Sequence, residues 1–319
     1  MEVTESGSTE LAGDGVPVAN AGRVVVVGSI NADIVVRAPR HPQPGETLLG
    51  TGLNTFGGGK GANQAVAAAR SGSQVTMIGR IGPDVMGAEL RASLVAEGID
   101  VTFVKTCKHD PTGTALIVVS DAGENTIVVV PGANGTLRDV HVADATEAGV
   151  FASARVVLAQ LEVPVPAIIR AFADGRSAGA TTILNLAPAP TLALPAELLL
   201  VTDVLIANET ETELFDALHD RSATAQIIRI RTEGAQGSTV QFVDGTTVHR
   251  DSFPVVVIDS TAAGDAFAGS FAAAIAQGFP FETALVRGNA AGALACTVAG
   301  AQPSIPLAAA IDALLANSR

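Results

Sequence analysis

The sequence predicts an α/β fold of three layers, in which helices cover both faces of a parallel sheet. Short β-branched runs alternate along the chain with helix-like stretches, as expected for parallel strands joined by crossover helices. The runs carry few polar residues, which is typical of strands buried on both faces. At 319 residues, of which 48 % are hydrophobic, the chain is long enough for one large domain of this type.

The predicted elements begin with a strand at 23–28, an apolar run that ends on glycine. Further strands are predicted at 75–78, 156–158, 182–186, 204–206, 227–230 and 255–258. Helices are predicted at 61–71, 86–97, 165–178, 209–218 and 266–277. The acidic stretch 1–22 lacks the pattern of a secretory signal, so we expect a disordered N-terminal extension there, before a single domain at 23–316.

Two stretches, about 34–56 and 101–130, interrupt this alternation with strand-like segments and no helix. They predict a small accessory β-sheet that serves either as a lid over a site or as the edge of an oligomer. Because an exposed edge strand pairs readily with another strand, a homodimer joined through this lid sheet is expected.

The charge and the cysteine content exclude several classes of protein. The chain has 19 basic and 32 acidic residues, and its net charge of −13 argues against nucleic acid or an anionic membrane as a partner. A membrane-spanning helix needs about 18 consecutive apolar residues, and the sequence has no such run. Cys107 and Cys296 lie too far apart to suggest a disulfide framework or a zinc site, so a reducing cytoplasm is the expected location.

The stretch 259–269 carries the most chemical information, because it joins the predicted strand 255–258 to the predicted helix 266–277. Its turn of small residues places Gly264 and Asp265 at the helix start, where free backbone N–H groups form an anion site. An anion site beside an ionised carboxylate is the combination that phosphoryl transfer to a hydroxyl requires. Taken alone, however, the turn is explained equally well as an ordinary helix start.

A second glycine-rich stretch, 57–64, also precedes a helix. It lacks the spacing of a Walker A loop, because Asn54 occupies the position of the first glycine and Gly61 follows the lysine. The glycines still allow a ligand to approach the backbone, and Asn63 can both donate and accept hydrogen bonds, as a polyhydroxylated sugar would require. A dinucleotide oxidoreductase is disfavoured, because 28–33 lacks the Gly-x-Gly-x-x-Gly spacing.

Several short motifs follow one another between Arg23 and Pro306. They are Gly28-Ser-Ile-Asn-Ala-Asp33, Pro44-Gly-Glu-Thr47, Gly58-Gly-Lys-Gly-Ala-Asn-Gln64, Gly82-Pro-Asp-Val-Met-Gly87, Gln160-Leu-Glu162, Asn185-Leu-Ala-Pro-Ala189, Asn208-Glu-Thr-Glu211, 259–265 and Gly300-Ala-Gln-Pro-Ser304. In this order they resemble the ribokinase family of sugar kinases. The resemblance implies transfer of the γ-phosphoryl group of ATP to the 5-hydroxyl of D-ribose.

The resemblance also implies a role for each candidate site residue. Asp265 would be the catalytic base, beside an anion hole formed by the backbone of Ala262, Ala263 and Gly264. The sugar site would comprise Asn31, Asp33, Gly59, Lys60, Asn63, Glu162 and Asp265, although the part played by Lys60 stays open. The nucleotide site would comprise Asn208, Thr232, Gly234, Gly237, Gly264 and Asn289.

Two cations are implied in the same way. Asn208 and Glu211 would organise Mg²⁺ through its waters, and the same two residues also suit a helix N-cap. A monovalent cation, usually K⁺, would order the anion hole, with ligands from Asp259, Thr261, Ala295, Gly300 and Ser304.

The stretch between Asn208 and Thr232 departs from the family pattern, because it is shorter than the resemblance leads one to expect. A helix that would cover this side of the sheet is missing or shortened, and Arg229 and Arg231 lie within the predicted strand. Two alternatives therefore stay open. One is a kinase of the same fold that acts on deoxyribose, a nucleoside or another sugar, and the other is a non-catalytic sugar-binding protein.

Overall fold

The computed structural model describes residues 22–318, so the expected N-terminal extension lies outside the described residues except for Gly22. A nine-stranded sheet forms the centre of the molecule, in the order β13-β12-β11-β10-β9-β8-β1-β4-β5. Neighbouring strands are parallel from β5 to β11, and β12 and β13 complete one edge in antiparallel pairing. The strands of this sheet are β1 (Arg23–Val27), β4 (Gln74–Ile81), β5 (Asp100–Thr106), β8 (Ala154–Gln160), β9 (Thr181–Asn185), β10 (Val204–Asn208), β11 (Ile228–Thr232), β12 (Ser238–Gln241) and β13 (Thr247–Arg250).

Helices pack on both faces of the sheet, which confirms the predicted three-layer α/β fold. Side chains along β1 alternate between the two cores: Val24 and Val26 pack toward one set of helices, and Val25 and Val27 toward the other. The first set is α1 (Lys60–Arg70), α2 (Val85–Ala96), α7 (Ala263–Ala276) and α8 (Phe281–Ala295), with α9 (Ala308–Asn317) packed outside α8. The second set is α3 (Asp139–Glu147), α4 (Val165–Ser177), α5 (Ala196–Leu200) and α6 (Glu209–Leu218).

A separate four-stranded sheet forms the predicted lid, in the order β3-β2-β6-β7. Its strands are β2 (Asn31–Ala38), β3 (Gly52–Gly58), β6 (Gly113–Ser120) and β7 (Asn125–Val130). The boundaries differ from those predicted, because residues 101–106 belong to β5 and pair with β4 in the main sheet. These residues follow helix α2 and complete a strand–helix–strand crossover, which brings them alongside β4.

The prediction of a buried strand at 255–258 is wrong. This stretch is irregular, and Val256 and Ile258 are 83 % and 65 % exposed. The edge of the sheet is already formed by β13, so the run has no strand partner. Instead, the N–H groups of Ile258 and Asp259 donate to the carbonyl of Cys296 at the end of α8.

Candidate active site

The turn before helix α7 has the geometry expected of an anion site. Ala262 is the N-cap and adopts a left-handed conformation with φ of 61°, the only positive φ of a non-glycine residue among the described residues. Such a conformation costs about 1 kcal/mol or more and is often found at functional sites. The Ala263 N–H donates to the Ser260 carbonyl at 3.2 Å, whereas the Gly264 N–H has no acceptor within the described part of the chain. A Cβ atom added at Gly264 would meet nothing within 4 Å, so the Cβ side of this residue faces open space.

Asp265 lies in the first turn of α7 and is only 8 % exposed. Its Oδ2 accepts a hydrogen bond from Asn63 Nδ2 and its Oδ1 accepts one from Gln64 Nε2, each at 2.9 Å. Both donors are on α1, which packs against α7 along the first face of the sheet. The carboxylate is therefore held by two neutral amides. Two cavities adjoin at this turn, one on each side of the start of α7.

The first cavity, of about 510 Å³, lies between the lid and the carboxyl ends of the central strands. Apolar lid side chains, including Ile117 and Val129, form part of its wall. All of the predicted sugar-site residues line it, namely Asn31, Asp33, Gly59, Lys60, Asn63, Glu162 and Asp265. Asn63 Oδ1 is buried without a hydrogen-bond partner among the described residues, so it is free to accept from a ligand hydroxyl.

Hydrogen bonds from the surrounding backbone and side chains fix several of these lining residues. Glu162 Oε2 accepts from Ser29 Oγ at 2.5 Å and from the Lys60 N–H at 3.0 Å. Asn31 Oδ1 accepts from Asn134 Nδ2 at 2.7 Å, so the amino group of Asn31 is left to face the cavity. Glycine is required at position 59, because φ is 85° and a Cβ atom would come within 2.8 Å of the Asn31 nitrogen.

Several carboxyl groups lie close to one lysine, Lys60, in the wall of the first cavity. Burial, together with the nearby carboxylates of Glu162 and Asp265, raises the pKa of Asp33 to about 7. Burial alone would lower the pKa of Lys60, but the carboxylates of Asp265, Glu162, Glu211 and Asp33 raise it overall. Lys60 therefore stays protonated and places a positive charge close to these carboxylates.

A second cavity, of about 650 Å³, lies on the other side of the α7 start. Ala263 and Gly264 line it, whereas Ala262 and Asp265 line the first cavity. The predicted nucleotide residues Thr232, Gly234, Gly237, Gly264 and Asn289 all line this second cavity. Val255 and Val257 also line it, so the apolar run that was expected to be a strand forms a cavity wall instead.

The predicted nucleotide loop connects β11 to β12. Gly234 and Gly237 have φ of 55° and 104°, and a Cβ atom at Gly237 would lie 2.1 Å from the Arg250 carbonyl oxygen. Asn289 Nδ2 donates to the carbonyls of Arg250 and Asp251 at 2.9 and 3.1 Å, and so ties α8 to the end of β13.

Asn208 and Glu211 form a reciprocal capping box at the start of α6. Asn208 Oδ1 accepts from the Glu211 N–H at 2.8 Å, and Glu211 Oε2 accepts from the Asn208 N–H at 2.9 Å. Neither residue lines the two cavities described above. Burial raises the pKa of Glu211, although the hydrogen bond from Asn208 and the charge of Lys60 oppose this rise. A carboxylate and an amide oxygen at this position are ligand types that suit Mg²⁺ with its waters.

Two of the residues predicted to hold a monovalent cation, Thr261 and Gly300, are hydrogen-bonded to a third, Asp259. The Asp259 carboxylate accepts from the Thr261 N–H at 2.9 Å, from Thr261 Oγ1 at 2.6 Å and from the Gly300 N–H at 2.9 Å. Burial would raise its pKa, but these hydrogen bonds lower it, so the carboxylate stays ionised. Ala295 ends α8 and Ser304 ends the 3₁₀ helix Gln302–Ser304. The ionised Asp259 carboxylate is an oxygen ligand of the type that fits a hard cation.

The shortened stretch after α6 contains only a short 3₁₀ helix, Arg221–Thr224, before β11. The second face of β11 carries Arg229 and Arg231, in register with Leu205 and Ala207 of β10. Arg229 pairs with Asp216 at 2.5 Å and lies over the Phe215 ring, and Arg231 pairs with Glu233. Ile230 of β11 thus packs in the first core, whereas on the second face α6 covers Arg229 and leaves Arg231 half-exposed.

Sequence reasoning missed a set of buried amides behind Asp265. Gln64, Gln160 and Asn185 are hydrogen-bonded to one another and are at most 7 % exposed. All three lie within motifs that the sequence analysis had identified, at the carboxyl ends of strands or the start of α1. Their position in those motifs was the available signal, but an amide side chain alone does not indicate a function.

Residues 21–308 match the model of the pfkB family of carbohydrate kinases. A ribokinase from Staphylococcus aureus is 39 % identical over 299 residues, which cover 89 % of this chain and 97 % of that protein. A deoxyribokinase from Salmonella typhi is 31 % identical over 296 residues, covering 89 % and 95 % of the two chains. The structure of an Arabidopsis thaliana ribokinase with ribose and ATP superposes with a TM-score of 0.83 at 31 % identity, covering 92 % of this chain and 99 % of that one. The chain belongs to the pfkB family of carbohydrate kinases.

Proposed function

We propose that this protein phosphorylates D-ribose at the 5-hydroxyl, with ATP as the phosphoryl donor and ribose 5-phosphate and ADP as the products. The observation that carries the proposal is the position of Asp265, which lies in the first turn of α7 where the two cavities meet. A sugar in the first cavity and a triphosphate in the second would meet across this turn. The ribokinase relatives support ribose as the acceptor.

In the proposed reaction, Asp265 acts as the general base. The oxygen of the 5-hydroxyl forms a bond to the γ-phosphorus, the bond from that phosphorus to the β–γ bridging oxygen breaks, and the hydroxyl proton passes to Asp265. The backbone N–H groups of Ala262, Ala263 and Gly264 would stabilise the charge of the transferring phosphoryl group. Because the transition state is loose, most of the acceleration would come from alignment and from these N–H groups.

The sugar would be held by the polar groups that line the first cavity. Asp33 and Glu162 would accept hydrogen bonds from neighbouring hydroxyls, while Asn31 would donate one. Asn63 would accept a hydrogen bond from a sugar hydroxyl at its unpaired Oδ1, while its amino group still donates to Asp265. Lys60 would balance the carboxylates and attract the phosphoryl group.

The nucleotide and the cations would occupy the other side of α7. Thr232, Gly234, Gly237 and Asn289 would surround the base and sugar of ATP in the second cavity, and Asn208 would lie toward its phosphates. When bound, Mg²⁺ would neutralise phosphate charge, with Asn208 and Glu211 binding its waters. A monovalent cation such as K⁺ would lie beside Asp259, Thr261, Ala295, Gly300 and Ser304, where it would order the anion hole.

A homodimer joined through the lid is a further part of the proposal. Strand β7 is a lid edge in which every residue is exposed, and its Val128 and Val130 are 58 % and 47 % exposed. An edge strand of this composition is a ready surface for pairing with a second lid. None of the described helices is long and apolar enough to cross a membrane. We propose a cytoplasmic enzyme that has neither nucleic acid nor membrane as a partner.

Two experiments test the proposal. A panel of ribose, deoxyribose, nucleosides and other sugars in a coupled ADP assay, with K⁺ and with Na⁺, should give the highest kcat/KM for ribose. Preference for deoxyribose would instead support the alternative that the deoxyribokinase relative suggests. Asp265→Asn should lower kcat by about 100- to 10,000-fold while ribose and ATP still bind. Ribose binding without ADP formation by the wild-type protein would indicate a non-catalytic sugar-binding protein.

A further inference from the structure

We propose that Gln64 is a positioning residue that fixes the carboxylate of Asp265, so that Asp265 Oδ2 is the atom that receives the proton. This inference rests on the proposed role of Asp265 as the base. It concerns a side chain that does not line the cavities described above and is fully buried, with an exposed fraction of 0 %.

The hydrogen bonds of Gln64 leave its amide only one orientation. Its Nε2 donates to Asp265 Oδ1 and to Asn185 Oδ1, each at 2.9 Å, which uses both amide hydrogens. Its Oε1 accepts from Gln160 Nε2 at 2.6 Å. If the amide were flipped, its oxygen would face Asp265 Oδ1 and Asn185 Oδ1, and its amino group would face the amino group of Gln160. Only the observed orientation is therefore allowed.

The amide network is in turn anchored to the central sheet. Asn185 lies at the end of β9, and its Nδ2 donates to the Ile206 carbonyl in β10 at 3.1 Å. Gln160 lies at the end of β8, where its side chain packs against Gly28. The position of Asp265 Oδ1 is thus set by the ends of β8, β9 and β10, three parallel strands that are hydrogen-bonded to one another.

The two oxygens of Asp265 have different surroundings. Oδ1 contacts Gln64, which faces the protein interior, whereas Oδ2 contacts Asn63, which lines the first cavity. A carboxylate whose inner oxygen is fixed presents its outer oxygen at a constant angle to the substrate hydroxyl. General-base catalysis depends strongly on such alignment, because a misplacement of about 1 Å costs on the order of 100-fold in rate.

The central test compares Gln64→Met with a matched control, Gln277→Met. Gln277 also joins α1 to α7 through an amide, since its Nε2 donates to the Ser71 carbonyl at 2.9 Å, but it lies at the opposite end of both helices. We expect Gln64→Met to lower kcat by about 10- to 100-fold, with KM for ribose and for ATP changed less than about threefold. Gln277→Met should keep the wild-type kcat. A merely structural role for Gln64 would lower the melting temperature of Gln64→Met and leave kcat of the folded enzyme unchanged, which would overturn the inference.

A second variant keeps the inference testable if Gln64→Met does not fold. In Gln64→Glu, a protonated carboxyl can still donate to Asp265, but an ionised one repels it. We therefore expect kcat of this variant, relative to the wild type, to fall as the pH rises from about 6 to about 9. A ratio that stays constant with pH would overturn the inference.

The role of Asp265 and the role of Gln64 can fail separately. Near-normal turnover by Asp265→Asn would remove the proposed base, and the inference about Gln64 with it. An inactive Asp265→Asn together with a Gln64→Met variant within about threefold of the wild-type kcat would overturn the positioning role alone. In the double variant, Gln64→Met should cost no further activity, because the carboxylate that it positions is absent.

Discussion

Asp33 offers the sharpest test of the electrostatics of the first cavity, because its pKa is raised from 3.8 to about 7. A carboxyl whose pKa is higher in the folded protein than in the unfolded chain favours folding at low pH. That stabilising contribution is lost as the pH rises from about 4 to about 7. Above about pH 7, the effect of Asp33 on the free energy of unfolding no longer changes with pH. A shift of this size corresponds to about 2–4 kcal/mol when allowance is made for the part of the side chain that remains in solvent.

Asp33→Asn should therefore increase the free energy of unfolding by about 2–4 kcal/mol at about pH 8, and by much less near pH 4. The same variant should bind ribose poorly at every pH, since it loses the carboxylate that is proposed to accept from the sugar. In the wild type, ribose affinity should rise as the pH increases through about 7, because the proposed contact uses the ionised form of Asp33.

Urea unfolding at several pH values measures the first effect. The chain has no Trp and no Tyr, so the transition must be followed by circular dichroism rather than by intrinsic fluorescence. Asp121→Asn, at an exposed turn of the same lid, is the matched control and should leave stability and ribose binding unchanged. If Asp33→Asn is less stable than the wild type at about pH 8, the burial argument is refuted.

Three further outcomes are expected from single substitutions. Lys60→Met removes the charge that lowers the pKa of Asp33, so the midpoint of ribose binding against pH should move to a more alkaline value in calorimetric titrations. Gly237→Ala should lower the free energy of unfolding by at least about 2 kcal/mol and raise KM for ATP, because its φ is 104° and its Cβ would lie 2.1 Å from a carbonyl oxygen. Asp259→Asn should reduce activation by K⁺ in the coupled assay, and a full K⁺ response in that variant would contradict the proposed cation site.

Sequence reasoning predicted the local structure well where local signals and long-range contacts agree. The small-residue turn before α7 predicted that Gly264 and Asp265 begin a helix, and they do. Alternating strands and helices predicted the layers of the sheet, because each such unit folds against its neighbour.

Other features depend on pairing partners that no local pattern specifies. The run 255–258 has the composition of a strand, but β13 already closes that edge of the sheet, so the run is exposed. Residues 101–106 were predicted as part of the lid, and only their pairing with β4 assigns them to the main sheet. The contact of Gln64 with Asp265 joins positions that are 201 residues apart, a separation over which spacing carries no information.

The connection that precedes strand β11 identifies a part of the molecule that lines neither of the two cavities. On this face of β11, Arg229 packs on α6 with its side chain 15 % exposed, whereas Arg231 is 49 % exposed. The exposed position Ser222 in this connection should therefore tolerate a reporter label. Such a label would allow substrate binding to be followed from a distance in a protein that lacks indole and phenol chromophores.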